Sequence, residues 1–291
     1  MMNTWRLLTL QRGGLRLTIL PGVGGRLWDV EFDGVSLLFK NPYLSGYTVD
    51  LDKLDQLPTR SPQFSFPLWG GEKTWIAPDS SWVKGAPYPV LDSGAYAVSD
   101  QSADHVELHS QLCPLSHLRV IRTIRLLDTS GFCIDHCVIN EGPASRLTGI
   151  WSVMMVSRPS TIMAATDPTK VRTVFGDPEP FLNRRGSRLD LPCDRPGEFK
   201  VGFDVPSGRL ELELGPTGRR VRLACDVPPM QPGQTYAHGH NVEIFNSGEL
   251  PYCEAEWHSP ALDLLPRAAL RYRQSFDLSR PANSREPSFR A

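Results

Sequence analysis

Four groups of residues in this chain have types and spacings that could do chemistry. The first is Cys253-Glu254-Ala255-Glu256-Trp257, where two carboxylates stand two positions apart. On an extended strand that spacing puts both on one face. Each then raises the other's pKa toward the range of a base working near neutrality, although on a solvated sheet face the same pair is only surface. The second group is Trp69-Gly-Gly-Glu-Lys-Thr-Trp-Ile-Ala-Pro-Asp-Ser-Ser-Trp82, which holds three of the seven tryptophans. Indole faces receive the C–H face of a sugar ring while nearby polar groups take its hydroxyls. Glu72, Trp75 and Trp82 are therefore candidate carbohydrate-binding residues, and Lys73 is a candidate donor to a hydroxyl or ring oxygen. The plain alternative is a Trp-rich core corner with a Glu72–Lys73 ion pair or a snorkelling lysine.

The third group is His238-Gly-His240 with Glu243 three residues on. Two histidines one residue apart on a strand share a face, and Glu243 would complete a three-ligand metal set. No later histidine stands in a matching context. The fourth is Arg122 with Arg125: three apart on a strand, they face opposite ways, so only one can reach a pocket. His105, His109, His117 and His136 lie in alternating segments without clustering and read as surface or satisfied core residues.

The elements that must position these groups read as strands. The chain has 24 glycines and 26 prolines in 291 residues, and between them lie short runs of period-2 alternation. Leu15-Arg-Leu-Thr-Ile-Leu20, His105-Val-Glu-Leu-His-Ser110, Leu118–Leu126 and Leu210–Leu214 are examples. Such runs are antiparallel strands with one buried and one wet face. Only Asp50–Leu57 and Pro260–Leu264 suggest helical turns. The expected class is all-β, a large sandwich or barrel. Residues 41–68 read as a long loop, a rim or lid over a site. Residues 176–200 read as a polar connection, and the segment after Leu278 as a disordered tail.

Composition narrows the function classes. A net charge of −1 leaves no electrostatic footprint for nucleic acid or an anionic membrane. No apolar run reaches the ~18 residues of a membrane span. Met1–Arg6 lacks the basic-then-apolar pattern of a signal peptide, so a cytoplasmic protein is expected. Six scattered cysteines without a CxxC suggest buried thiols rather than zinc or disulfides.

The opening block Leu17-Thr-Ile-Leu-Pro-Gly-Val-Gly-Gly-Arg-Leu-Trp-Asp-Val-Glu-Phe-Asp-Gly-Val-Ser-Leu-Leu-Phe-Lys-Asn-Pro42 reads as strand, glycine turn, strand, Asp33-Gly34 hairpin and strand. It resembles the start of the galactose mutarotase-like (aldose 1-epimerase-like) superfamily. The Gly70–Trp82 segment is similar to the "GG-x-K-x-W-x-A-P" stretch of a less characterised bacterial branch. Arg122–Leu126, Phe132–Asn140 and Gly149–Val153 resemble the family's central strands. Asn241-Val-Glu-Ile-Phe245, Tyr252–Pro260 and Leu264-Leu-Pro-Arg-Ala resemble its ending. These blocks stand in family order over roughly residues 15–278.

The resemblance implies a β-supersandwich formed by residues 1–280 as one domain, with 281–291 disordered and ligands on the concave face of one sheet. It implies interconversion of sugar anomers, with a late-strand Glu as general base at the anomeric O1 and a His as general acid at the ring oxygen. Proton transfer at two oxygens requires no metal or cofactor. Carried onto this chain, the base is Glu256, with Glu254 close behind. Lys73 stands where the family has a substrate-binding Arg, and Arg122 and Glu243 are further ligand contacts. The strand Leu147–Met155 has no His. Trp151 stands near that position as a further ring platform, and either His238 or His240 could be the acid instead, His240 being preferred because it immediately precedes Asn241-Val-Glu243. Three readings stay open: an aldose 1-epimerase-type isomerase, a carbohydrate-binding module that has lost the acid, and a metal-dependent enzyme built on His238, His240 and Glu243. The expected partner is a small-molecule carbohydrate, with no nucleic acid and no membrane, and a homodimer is compatible with the sequence.

Overall fold

The computed structural model describes residues 5–58, 66–216 and 218–281. In chain order its strands are β1 (Leu8–Arg12), β2 (Leu15–Leu20), β3 (Arg26–Phe32), β4 (Val35–Ser36), β5 (Glu72–Ala77), β6 (Ala97–Gln101) and β7 (His105–His109). They continue as β8 (Leu118–Leu126), β9 (Gly131–Asn140), β10 (Arg146–Ser157), β11 (Ser160–Ala165), β12 (Arg172–Gly176), β13 (Asn183–Arg185) and β14 (Arg188–Cys193). The last are β15 (Phe199–Phe203), β16 (Arg209–Leu214), β17 (Val221–Asp226), β18 (Val242–Asn246), β19 (Tyr252–His258), β20 (Leu262–Leu264) and β21 (Ala269–Ser279).

These strands form two antiparallel sheets. An 11-stranded sheet runs β1-β2-β3-β5-β10-β19-β18-β15-β12, with β4 on β3 and β20 on β10; a 10-stranded sheet runs β13-β14-β11-β16-β17-β21-β9-β8-β7-β6. The all-β sandwich expected from the sequence is what forms. Strands with one wet face obey the simple alternation: in β16, Leu210, Leu212 and Leu214 are buried while Glu211 and Glu213 are half-buried. The central strands of the larger sheet differ. All residues of β5, β18 and β19 are buried, because both faces are covered. One face packs on the second sheet through residues such as Ile76, Ile150, Val201, Ile244, Ala255 and Trp257. The other carries Trp75, Trp151, Phe245 and Tyr252 and is roofed by loops.

Two expectations are corrected. Pro260–Leu264 contributes β20 rather than a helical turn, since it pairs with the start of β10. Residues 176–200 are not a plain connection: β13 and β14 lie there, and Leu189, Leu191 and Cys193 enter the core. An unforeseen one-turn helix α1 (Pro89–Asp92) supplies Asp92 to the site. The Asp33-Gly34 hairpin is as read, with φ of 47° and 73°, the left-handed pair of a type I′ turn. Within 41–68, Leu51–Gln56 forms a 3-10 turn. Of the tail expected to be disordered, 282–291 lie outside the described residues. The six cysteines are buried and free. No helix among the described residues is long and apolar enough to cross a membrane.

His136 on β9 is a satisfied core histidine. Its Nδ1 lies 2.8 Å from Thr74 Oγ1 and its Nε2 2.8 Å from Gln274 Oε1. Burial lowers its pKa to about 4, with Glu72 opposing and Arg122 adding to the shift. The unfolded chain therefore takes up this proton at higher pH than the fold does. Stability should fall as pH drops from about 6.5 to about 4, by roughly 3 kcal/mol for this group. Urea unfolding of His136→Gln against the parent checks this: the pH slope should flatten in that window, and an unchanged slope refutes it.

Candidate functional site

The face of the larger sheet turned away from the second sheet, at β5, β10, β15, β18 and β19, carries the candidate site. Parity decides which residues reach it. On β5, Lys73, Trp75 and Ala77 face the cavity, while Glu72, Thr74 and Ile76 face the second sheet. On β19 the cavity side receives Tyr252, Glu254, Glu256 and His258. On β15 it receives Lys200 and Gly202. Register places Trp151 opposite Trp75 and His258, and Glu256 opposite both Val153 and Glu243. Entry to β5 needs the Gly70-Gly71 pair, at φ of 110° and 71°. A Cβ at these positions would lie 2.4 Å from Phe39 O and 2.6 Å from Leu27 O, so only glycine lets the backbones pass this closely.

The cavity has a volume of about 410 Å³ and is lined by Phe66, Leu68, Trp75, Asp79, Trp82, Gly85, Trp151, Val174, Phe175, Lys200, His238, His240, Glu243, Phe245 and Glu254. This lies in the range of small-molecule sites, roughly 300–1,000 Å³. The three indoles form one cluster. Trp82 stacks on Trp151 at 5.4 Å and 15°, and Trp75 meets both edge-on at 5.3 and 5.0 Å. Their N–H groups are already committed: Trp75 donates to Asp92 Oδ1 at 2.7 Å, Trp82 to Ile76 O at 2.8 Å and Trp151 to Glu256 Oε2 at 2.7 Å. Asp92 in turn pairs with buried Arg26 at 2.8 Å. Trp75 and Trp151 thus spend much of their surface on one another, and Trp82, half-buried, is the more open plane.

Beside the indoles lies a buried charge network. Like charges directly opposite across a ladder repel, and Glu243 and Glu256 stand in that relation. Lys200 resolves it, with Nζ 2.8 Å from Glu243 Oε2 and 2.9 Å from Glu256 Oε2, and 4.5 Å above the Trp151 ring. Glu243 also meets His240 Nε2 at 2.7 Å, His238 Nδ1 at 3.2 Å and His258 Nε2 at 3.3 Å. Burial works against its ionisation, but Lys200 and the three imidazoles outweigh it and hold the carboxyl well below its usual range. Glu256 goes the other way, pushed up to about 8 by burial, with Lys200 opposing and Glu243 and Glu254 adding to the rise. Against the burial that would lower it, Asp79 and Glu243 raise His238 to about 9. Burial lowers His258 to about 4, offset only in part by Glu243.

Several sequence readings change here. Glu72 and Arg122 do not reach the ligand cavity. They pair with each other between the sheets, both fully buried, because Glu72 has the opposite parity from Trp75. Lys73 pairs with Glu254, at 3.1 Å, rather than with Glu72, and stands 4.2 Å over the Trp75 ring; burial lowers its pKa, with Glu254 opposing. Glu256, the preferred base, does not line the cavity: it is fully buried beneath Trp151 and Lys200. Glu254 does line it. The His238-Gly-His240 segment is a turn, with Gly239 at φ 80°, so the two histidines do not share a strand face. His240 Nε2 is spent on Glu243 and its Nδ1 is buried without a partner among the described residues, which leaves His238 as the imidazole beside Asp79 at the cavity wall, 3.5 Å away.

Sequence reasoning missed Lys200, His258, Asp79 and Asp92. Phe199-Lys-Val-Gly-Phe203 alternates and could have marked Lys200 as the polar side of a strand, but its first two residues fall inside the segment 176–200 read as a connection. His258 follows Glu254 and Glu256 at the same parity, which was a usable signal.

Gly202 leaves the space that His240 occupies. A Cβ there would lie 2.1 Å from the His240 ring. Gly202→Ala should force the imidazole off Glu243 and destabilise the fold by about 1–3 kcal/mol, as overpacking does. Urea unfolding measures the loss, and an unchanged midpoint refutes the packing account.

No family model matches the sequence, and no curated protein matches it. Solved structures do. The chain is similar to a galactose mutarotase-like protein from Lactobacillus casei, at 14% identity over 94% of this chain and 100% of that one, with a TM-score of 0.61. It is similar to a galactose mutarotase related enzyme from Lactobacillus acidophilus, at 10% identity over 96% and 99%, TM-score 0.60. A galactose mutarotase-like protein from Clostridium acetobutylicum matches at 10% identity over 94% and 95%, TM-score 0.57. Structural likeness at identities this low shows the shared fold alone.

Proposed function

We propose that this chain, which has the galactose mutarotase-like fold, is a carbohydrate-active protein that interconverts sugar anomers by general acid–base catalysis. The carrying observation is that one cavity gathers the indoles of Trp75, Trp82 and Trp151 with Glu254, Lys200 and His238, although Trp75 and Glu254 stand far apart in the chain. A pyranose would lie against the half-buried Trp82. Glu254, whose Oε1 is oriented by Lys73, would take the anomeric O1 proton. His238, held between Asp79 and Glu243, would give a proton to the ring oxygen. The ring then opens, the aldehyde rotates, and closure on the other face returns both protons. Lys200 is a cation poised over Trp151 that would hold a sugar hydroxyl. In this arrangement Glu256 and His240 support the charge network instead of touching the sugar.

A second reading, a carbohydrate-binding protein without turnover, is favoured by one observation: each carboxylate lining the cavity already has a cationic or imidazole partner. Two-dimensional NMR exchange on a panel of aldoses separates the two. Anomer exchange faster than the uncatalysed rate supports catalysis. Binding of an aldose without acceleration supports the second reading, and no binding across the panel removes both.

A further inference from the structure

We propose that His238, Glu243 and His258 form a binding site for a zinc-class divalent transition-metal ion at the floor of the cavity. Their donor atoms lie within 4.8 Å of one another. Tetrahedral zinc, with bonds near 2.0–2.2 Å, sets donors about 3.4 Å apart. Each imidazole nitrogen is already about that far from a Glu243 oxygen, 3.2 Å for His238 Nδ1 and 3.3 Å for His258 Nε2. The two nitrogens face different oxygens of that carboxylate, Oε1 for His238 and Oε2 for His258, and have to close on each other to share one ion. Two histidines and a glutamate with a fourth position open is the donor set of catalytic zinc sites. Calcium and magnesium, which want oxygen ligands, are poorly matched.

An independent observation comes from His258. Its side chain is 1% exposed, and neither ring nitrogen makes a hydrogen bond among the described residues, although buried polar groups are normally satisfied. The contact of its Nε2 with Glu243 is close in distance but lacks hydrogen-bond geometry. Stacking on Trp151, at 5.3 Å and 29°, fixes the ring where it is. A metal ion would supply the missing partner. His238 and Glu243 line the cavity while His258 lies beneath it, so the open coordination position would face the cavity, which also provides the entry path.

Lys200 is the opposing charge, 2.8 Å from Glu243. It bridges two carboxylates, however, and when a cation takes Glu243 it keeps Glu256 at 2.9 Å. His240, bonded to Glu243 Oε1 at 2.7 Å, would orient the ligating carboxylate, as outer partners of metal sites do.

The site stands apart from the sugar reading, and the two compete for one residue: His238 ligated to a metal cannot also hand a proton to a sugar. Titration of the purified, chelator-treated chain with Co²⁺, followed by visible absorption, tests the site directly. The expected result is saturable growth of the intense bands of four- or five-coordinate cobalt at one equivalent, displaced by Zn²⁺. His258→Ala and His238→Ala should each lower Co²⁺ affinity by at least about 100-fold, since loss of a residue that merely orients a metal ligand already costs about 10–100-fold. If His258→Ala fails to fold, His238→Ala, at the half-buried position, carries the test. Absence of cobalt bands at millimolar metal, or an affinity untouched by His238→Ala, overturns the proposal. Zn²⁺ should also suppress anomer exchange. The cobalt spectrum is read without any sugar, so a protein that binds metal but turns over no aldose refutes only the sugar reading.

Discussion

Glu254→Gln should slow anomer exchange by about 10²–10⁴-fold, the usual contribution of a positioned proton-transfer group, with ligand affinity changed much less. The amide keeps the shape and the hydrogen-bonding reach of the side chain but cannot accept the O1 proton. Its neighbour is the informative control. Glu256→Gln alters a carboxyl that burial already keeps up near pH 8 and that touches Trp151 and Lys200 rather than the cavity. Its effect on exchange should be smaller, transmitted through the position of Lys200. The reverse outcome, with Glu256→Gln inactive and Glu254→Gln active, would overturn the assignment of the base. One side effect belongs to the prediction. Lys73 loses its ion-pair partner in Glu254→Gln, so some stability is lost as well, and exchange rates must be compared on samples shown to be folded.

The choice between these two carboxylates shows how far the sequence reaches. Spacing of two on a strand was enough to put Glu254 and Glu256 on one face, and β19 keeps that parity. Spacing cannot say what covers each residue. Trp151 arrives from β10, more than a hundred positions earlier, and seals Glu256 while leaving Glu254 at the cavity. Alternation found β2, β8 and β16 because one face of each is wet. It gave less on β5 and β18, where loops roof the second face and every position is buried. Parity alone could still have separated Glu72 from Trp75: they are three apart, so a strand sends them opposite ways. The histidine pair misled for a different reason. Gly239 bends the chain into a turn, and the strand rule that joins positions 238 and 240 does not apply there. His258, carried by the same strand as the acidic pair, takes the place given to His240 beside His238 and Glu243.

Arg122→Met should destabilise the fold by about 3–5 kcal/mol, the cost of stranding a buried charge. Arg122 on β8 crosses from the second sheet to meet Glu72 on β5, and both side chains are fully buried. Its Nη1 also donates to Gly25 O at 2.7 Å, while Ser152 donates to Glu72 Oε1 at 3.0 Å. With the guanidinium gone, the carboxylate keeps one hydroxyl and no ion-pair partner in contact among the described residues. Glu72→Gln should be costly for the mirrored reason, leaving an unpaired guanidinium. Combining the two should cost much less than the sum of the single changes, because the contacting residues are coupled and a neutral pair tolerates a dry interior far better than a lone ion. Urea unfolding of the three variants measures this cycle; additive losses, or single losses under about 1 kcal/mol, would show that the pair does not join the sheets energetically. The consequence reaches the cavity because β5 presents Glu72 to the core and Lys73 and Trp75 to the ligand side. An anchored Glu72 fixes the register of the strand, and with it the ammonium that orients Glu254. The double variant, stable but without this anchor, should therefore bind sugar more weakly than its stability alone implies.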